Sequence, residues 1–235
     1  MLQRRTCWTG RSASIDYFVR PVAAFIQRQH ALDHRRASTV SALADGMLSG
    51  TRLTSVAQDI WTAYVQEGDA VVDATAGNGG DTLWLARAVG PQGSVSAFDK
   101  EEKALDGTTA RIRANIPIEK MPSMHFHHCC HSLMQDVVAL HSASLICFNL
   151  GYLPSAEDKP QTATEQYTTL AAVAAALNVV NDRGLISIMA YTGHPGGQQE
   201  YEAVRQHLQA LSPVKWTVSE HKKPFEFEAK LKPPL

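Results

Sequence analysis

Apolar and polar positions follow two alternating periods through most of the chain. Leu53 to Val65 carries apolar residues at helical spacing, and Ala70 to Ala74 (AVVDA) is a short buried-strand run closed by the glycine-rich TAGNGG. Asp81 to Val89 returns to helix, Val95 to Phe98 is a second strand, and Glu101 to Ala114 is a helix. Met124 to His127, Ser144 to Phe148 and Leu185 to Ala190 give a third, fourth and fifth strand, separated late in the chain by the alanine-rich helix Thr164 to Val180. Gln198 to Leu211 is a further helix, and Val214 to Ser219 with Phe225 to Leu231 reads as a terminal hairpin around Lys222, Lys223 and Pro224. Strands that alternate with helices predict an α/β fold. The expected architecture is a doubly wound, Rossmann-like sheet, mostly parallel with a C-terminal antiparallel hairpin, with its ligand beyond the carboxyl ends of the central strands.

Composition adds a boundary to this pattern. The 235 residues, 44% of them hydrophobic, suffice for one substantial core. No run approaches the ~18 consecutive apolar residues of a membrane span, so no membrane role is expected. Cys7, Cys129, Cys130 and Cys147 form no spaced framework, which fits a reducing compartment. The net charge of −1 hides an asymmetry, because seven arginines fall within residues 1–40 against Asp16 and Asp33. Within that head Ile15, Phe18, Val19, Val22, Phe25 and Ile26 recur at helical spacing. An Arg-rich, acid-poor amphipathic start reads as an organelle transit peptide over 1–40 ahead of one domain over 41–235; the alternative is an N-terminal helix docked on the domain and kinked at Pro21. Plastid is favoured slightly over mitochondrion, and a cytoplasmic location follows if the head is no transit peptide.

The chemistry is expected just after the strands. In DATAGNGGDT, Asp73 to Thr82, Gly77 and Gly79 permit a tight turn and close backbone approach, and the next helix opens with free N–H groups. Thr82 stands where a dinucleotide fingerprint wants a small residue, and a carboxylate at Asp73 suits a ligand with a cationic group better than a pyrophosphate. Asp99, at the end of the second strand, can accept both hydrogen bonds of a ribose diol or cap the helix that follows. Together these parts describe a pocket for S-adenosylmethionine in preference to a nicotinamide dinucleotide. After the fourth strand, Asn149-Leu150-Gly151-Tyr152 has an N-x-x-Y spacing in which the Asn149 oxygen can accept from an amine N–H, although Asn and Gly also serve as plain turn residues. The fifth strand runs into AYTGHPGGQQE, where Tyr191 and His194 sit at the same end of the sheet; His194 is a candidate proton acceptor or a loop brace.

Four histidines and two cysteines in HFHHCCH, His125 to His131, resemble a metal site. One contiguous run with no second cluster lacks the convergence that tetrahedral zinc requires, and alternate residues of a strand diverge. No metal is expected.

DATAGNGGDT, AFDK, FNLGYLP with Asp158-Lys159 after it, Thr168-Thr169 and YTGHPGGQQE, taken in order, resemble the motifs of the YtqB-like methyltransferases, long labelled rRNA methylases. The resemblance runs from about Thr51 to Ser219. It implies S-adenosylmethionine as cofactor, held by Asp73, Ala74, Thr75, Gly77, Asn78 and Gly79, then by Asp81 and Thr82, and by Asp99 with Lys100 at the ribose. It further implies a cofactor role for His131, Asn149 and Gly151, a methyl-transfer site at Asn149, Tyr152, Tyr191 and His194, and substrate contacts from Leu153, Pro154 and Lys159. Bacterial members include the tRNA 5-(aminomethyl)-2-thiouridine methyltransferase, so the implied partner is the anticodon region of tRNA, and a homodimer is an open expectation. Ser155-Ala156 departs from the family's glycine pair. The scattered Lys159, Arg183, Lys222 and Lys223 form no strong basic stripe, so the tRNA expectation rests on the resemblance and not on charge. Methyl transfer to rRNA or to a small amine, or a non-catalytic cofactor- or RNA-binding module, are the alternatives.

Overall fold

Runs such as SLICF and LISIMA lack polar alternation because the strands they form are covered on both faces. The computed structural model describes residues 21–28, 53–151 and 163–222. Seven strands make one sheet: β1 (Pro21–Arg28), β2 (Ala70–Asp73), β3 (Ser94–Asp99), β4 (Ser123–His128), β5 (Ala143–Leu150), β6 (Val180–Tyr191) and β7 (Trp216–Lys222). The helices are α1 (Leu53–Trp61), α2 (Gly80–Val89), α3 (Glu102–Asn115), the single turn α4 (Met134–Val137), α5 (Gln166–Val179) and α6 (Gly197–Gln209). Val56, Ile60 and Trp61 of α1, Leu85 and Val89 of α2 and Ile112 of α3 are buried against one face of the sheet with Val71, Val95 and Leu145. Val173 and Val179 of α5 and Val204 and Leu208 of α6 are buried on the other face with Val72, Ile146 and Ile186.

The strand order is β4-β3-β2-β5-β6-β1-β7. β2 pairs in parallel with both β3 and β5, and β5 with β6, whereas β1 runs antiparallel to β6 and to β7. Strands β3 and β4 lead away from β2 on one side and β5 and β6 on the other, so the order reverses between β2 and β5, which opens a crevice at their carboxyl ends.

One expectation is corrected here. The helical spacing through Ile15 to Ile26 continues into a strand, since Pro21–Arg28 is β1, and the division at residue 40 would cut it from the sheet. Periodicity does not separate a short apolar run on a buried strand from a helix turn. Val22 and Ile26 face one core cluster and Ala23 and Phe25 the other, which only an extended chain between two covered faces can do. Pro21 stands at the first strand position, where its missing N–H costs least. Burying Val22, Phe25 and Ile26 is worth roughly 1.5–3 kcal/mol each, so β1 belongs to the core. The expected antiparallel pairing is present, and the described partner of β7 is β1, from the N-terminal side of the chain. The expected partner Phe225 to Leu231 lies outside the described residues, as do residues 1–20.

Candidate active site

The chain leaves β2 at Asp73 and turns through the glycine loop into α2. Gly77 and Gly79 have φ of 50° and 73°, a region that side chains disfavour. A methyl group on Gly79 would also stand 2.7 Å from Thr108 Oγ1, so contact as well as backbone demands glycine. Thr108 Oγ1 donates to the Gly77 carbonyl at 3.1 Å, and the Gly77 N–H donates to Asp99 Oδ2 at 2.8 Å. The other oxygen of Asp99 accepts the Glu101 N–H at 2.9 Å. One carboxylate thus ties the glycine loop to the start of α3 and keeps lone pairs for a ligand diol.

The two acids of the loop have different surroundings. Asp73 is fully buried; its Oδ2 accepts from Thr82 Oγ1 at 2.7 Å and its Oδ1 from the Thr75 N–H at 3.1 Å. Burial, with the nearby Asp81 charge second, pushes its carboxyl up to about 7, against the two hydrogen bonds. Asp81, in the first turn of α2, accepts from Gln58 Nε2 at 2.8 Å on one oxygen and from Asn149 Nδ2 on the other. Burial raises its pKa and those two donors oppose the rise.

Beyond the carboxyl ends of the strands lies a cavity of about 630 Å³. Ala74, Thr75, Gly77, Asn78 and Asp81 wall it from the glycine loop, and Asp99 and Lys100 from the end of β3. His131, Asn149, Gly151, Tyr191 and His194 close the remaining sides. Thus twelve of the residues expected at a site meet in one place. Asp73, Gly79 and Thr82 are not on the wall: the Asp73 carboxylate turns inward to Thr82, and Gly79 is packed on Thr108. Asp73, expected beside the ligand's cation, is fully buried behind the wall, and Asp81 is the loop carboxylate that lines the cavity. Tyr152, Leu153, Pro154 and Lys159 lie outside the described residues.

On the far side, the Asn149 N–H donates to Thr75 Oγ1 at 2.7 Å, which ties β5 to the glycine loop. Thr164 brackets Gly151: its N–H donates to the Gly151 carbonyl at 2.7 Å, and its Oγ1 accepts the Gly151 N–H at 3.0 Å. Glu200 of α6, only 2% exposed, accepts from Thr164 Oγ1 at 2.7 Å and Thr169 Oγ1 at 2.6 Å. A methyl group on Gly151 would stand 3.6 Å from the Tyr191 ring and 3.8 Å from His194 Nε2, so these three residues share one corner of the cavity. Burial raises the Tyr191 phenol pKa, and a hydrogen bond with Thr54 of α1 opposes it. His194 Nδ1 lies 3.0 Å from the Pro195 carbonyl and can only donate to it, which makes Nε2 the basic nitrogen.

His131 has the same logic in a drier place. Its Nδ1 lies 3.1 Å from the Ala74 carbonyl, and burial lowers its pKa to about 4, so it stands neutral with Nδ1 protonated. The rest of HFHHCCH divides: His127 stacks on Phe98 with ring centroids 4.5 Å apart, while Cys129 and Cys130 both reach the cavity because the strand ends at His128. Alternation was expected to carry Cys129 and Cys130 to opposite faces. Among the described residues no group of three or more His, Cys, Asp or Glu is placed to hold a metal.

Sequence reasoning missed Thr54, Gln58, Thr164 and Glu200. Glu200 ends the YTGHPGGQQE run, but nothing local marks its partners, and Gln58 reaches the site only because the apolar stripe of α1 docks on the sheet.

The residues fit S-adenosylmethionine. The cavity has the volume of a cofactor site, the left-handed glycines bring backbone close to it, Asp99 offers acceptors for a ribose, and Asp81 is an anion for a cationic ligand.

A family profile described as "Putative rRNA methylase" matches residues 95–231. Over 193 residues, 78% of this chain and 70% of the relative, the sequence is 34% identical to the Arabidopsis thaliana protein named tRNA (mnm(5)s(2)U34)-methyltransferase, chloroplastic. Among solved structures, a "putative rRNA-methylase" from Clostridium thermocellum is 28% identical with a TM-score of 0.65, the match covering 74% of this chain and 100% of that one. A Streptococcus mutans methyltransferase structure in complex with SAH is 26% identical with a TM-score of 0.59, over 73% of this chain and 98% of that one.

Proposed function

Because the chain belongs to the rRNA-methylase family and is an S-adenosylmethionine-dependent methyltransferase, we propose that it methylates the aminomethyl group of 5-aminomethyl-2-thiouridine at the tRNA wobble position. The observation that carries this reading is Asn149: its Nδ2 is engaged by Asp81, so its oxygen is the group left to accept an N–H at the cavity wall. The name of the plant relative supports the nucleoside and an organelle, plastid ahead of mitochondrion.

Bound S-adenosylmethionine supplies a methyl group made electrophilic by its sulfonium. The chain's own residues prepare the nucleophile. An alkylamine has a free pKa near ~10.4, so about one molecule in a thousand is neutral at pH 7. A partly desolvated cavity that also holds a cation lowers that pKa twice over, by burial and by like-charge repulsion. Asn149 Oδ1 accepts one N–H and aims the lone pair along the transfer axis. Tyr191 is not the base, because its raised pKa keeps it a neutral phenol at pH 7; it packs and hydrogen-bonds in the corner beside Gly151. His194 Nε2 takes the proton that the ammonium loses before attack.

The test is nucleoside mass spectrometry on tRNA that carries the unmethylated aminomethyl group, after incubation with the protein and S-adenosylmethionine. The methylaminomethyl nucleoside is the expected product. A methyl group found only on rRNA, or only on a small amine, would replace this reading.

A further inference from the structure

We infer that Gln58 and Asp81 form a positioning relay that fixes the direction of the Asn149 amide, holding its oxygen toward the nucleophile. The inference rests on the proposed role of Asn149 in methyl transfer. An amide group is nearly symmetric in shape, so packing alone does not decide which end faces the site. Polarity decides it. An ionised carboxylate can only accept, so Asp81 forces the NH2 group of Asn149 toward itself and the oxygen away. The other carboxylate oxygen takes Gln58 Nε2 at 2.8 Å, which fixes the plane of Asp81 and uses the charge that faces away from Asn149.

Three separate elements converge on this chain of groups. Asp81 is anchored in the first turn of α2, two residues after the left-handed Gly79, and is 8% exposed. Gln58 is carried by α1, whose Val56, Ala57, Ile60 and Trp61 are buried in the core on either side of it in sequence. Asn149 has its backbone held by the Thr75 hydroxyl, so only its side-chain torsions remain to be set. The remaining network at the site, through Thr164 and Glu200, reaches Gly151 and does not touch the Asn149 amide. Among the described residues Asp81 is therefore the group that sets the amide, and it acts on the reaction through Asn149.

A mutant cycle tests the relay. Asp81→Asn replaces a pure acceptor by a group with one acceptor and one donor, so either Gln58 or Asn149 must reverse. We expect kcat at saturating S-adenosylmethionine to fall about 10- to 100-fold, the range of a misaimed reactive group, apart from any loss of cofactor affinity that removal of the Asp81 charge brings, which calorimetry reads separately. In the Asn149→Ala background the same substitution should cost nothing further. Gln58→Glu keeps the size of the side chain and sets a second carboxylate beside Asp81, which raises the Asp81 pKa. The acid limb of the pH profile of kcat should move to higher pH, and the shift should vanish in the Asn149→Ala background. A role in mere folding would not produce that pairing.

Equal losses of kcat at saturating cofactor from Asp81→Asn with and without Asn149 would overturn the relay, as would an unmoved acid limb in a folded Gln58→Glu protein. The cycle is read on whatever acceptor the wild-type protein methylates. A wrong acceptor therefore sinks the proposed substrate and leaves the test of the relay standing.

Discussion

The two sides of the cavity are held by different kinds of bond. On the cofactor side the supports run mostly between backbone and side chain of neighbouring segments: Asp73 to Thr75, Asp99 to Glu101, and Asp99 across to Gly77. On the substrate side they run between side chains far apart in sequence: Gln58 to Asp81, Asp81 to Asn149, Thr164 and Thr169 to Glu200. The difference teaches which half can be disturbed alone. The cofactor loop is a nearly self-contained turn braced by glycines, whereas the transfer corner exists only when α1, β5, α5 and α6 are all docked.

The sharpest way to separate the halves is Asn149→Ala. Methyl transfer should fall by about 10²-fold or more, and the affinity for S-adenosylmethionine should stay within a few-fold. Steady-state rates and calorimetry on the same preparation check both. Next in size is Asp99→Asn on the other side. It weakens the acceptor for the Gly77 N–H and for the ribose diol, so cofactor affinity should drop about tenfold, the scale of one charge-assisted hydrogen bond; kcat at saturating cofactor should change little. Titration of both variants with the cofactor would break the comparison if each lost the other's function.

A smaller effect is expected from Glu200→Gln. The amide offers one acceptor where the carboxylate offered two, so either Thr164 or Thr169 must turn its hydroxyl or lose its partner. The stability loss should be about 1–3 kcal/mol by urea unfolding, with a rise in KM for the proposed tRNA substrate and an unchanged cofactor affinity.

The last expected effect is on the pH dependence of stability, at Asp73. Its folded pKa of about 7 lies above the ordinary 3.8, so the folded state holds a proton that the unfolded chain releases. Stability from this group is fully present below about pH 4, declines as pH rises between those two values, and is flat above the folded pKa. Asp73→Asn should remove that slope and raise the melting temperature most above pH 7, as thermal scans from pH 4 to 8 would show. An unaltered slope would mean that Asp73 is not the group responsible.

Much of this site could be read from the chain, for a physical reason. Gly77, Gly79 and Asp99 belong to a strand-turn-helix unit whose demands are local, and sequence spacing reports local demands. Asn149 was legible as well, because it directly follows a run of buried strand residues. What failed was direction. Asp73 and Asp81 lie eight positions apart in one loop; both were expected at the cofactor, and spacing alone does not say that Asp81 is the one on the cavity wall. Burial decided it, through contacts with Thr82 and Gln58 that no local pattern contains. β1 failed likewise: Val22, Phe25 and Ile26 fit a helical stripe, and only β6 and β7 on either side make them a strand. Glu200 stood inside a recognised motif, yet its partners come from the start of another helix.

The central claim is that one corner of the cavity transfers the methyl group while the opposite wall only holds its donor. The most direct measurement is a single-turnover assay with labelled S-adenosylmethionine prebound to the Asn149→Ala protein, chased with tRNA bearing the aminomethyl nucleoside. The account predicts label retained on the protein at wild-type occupancy, with transfer to the wobble uridine slowed by about 10²-fold or more. Transfer at the wild-type rate from the prebound cofactor would contradict it.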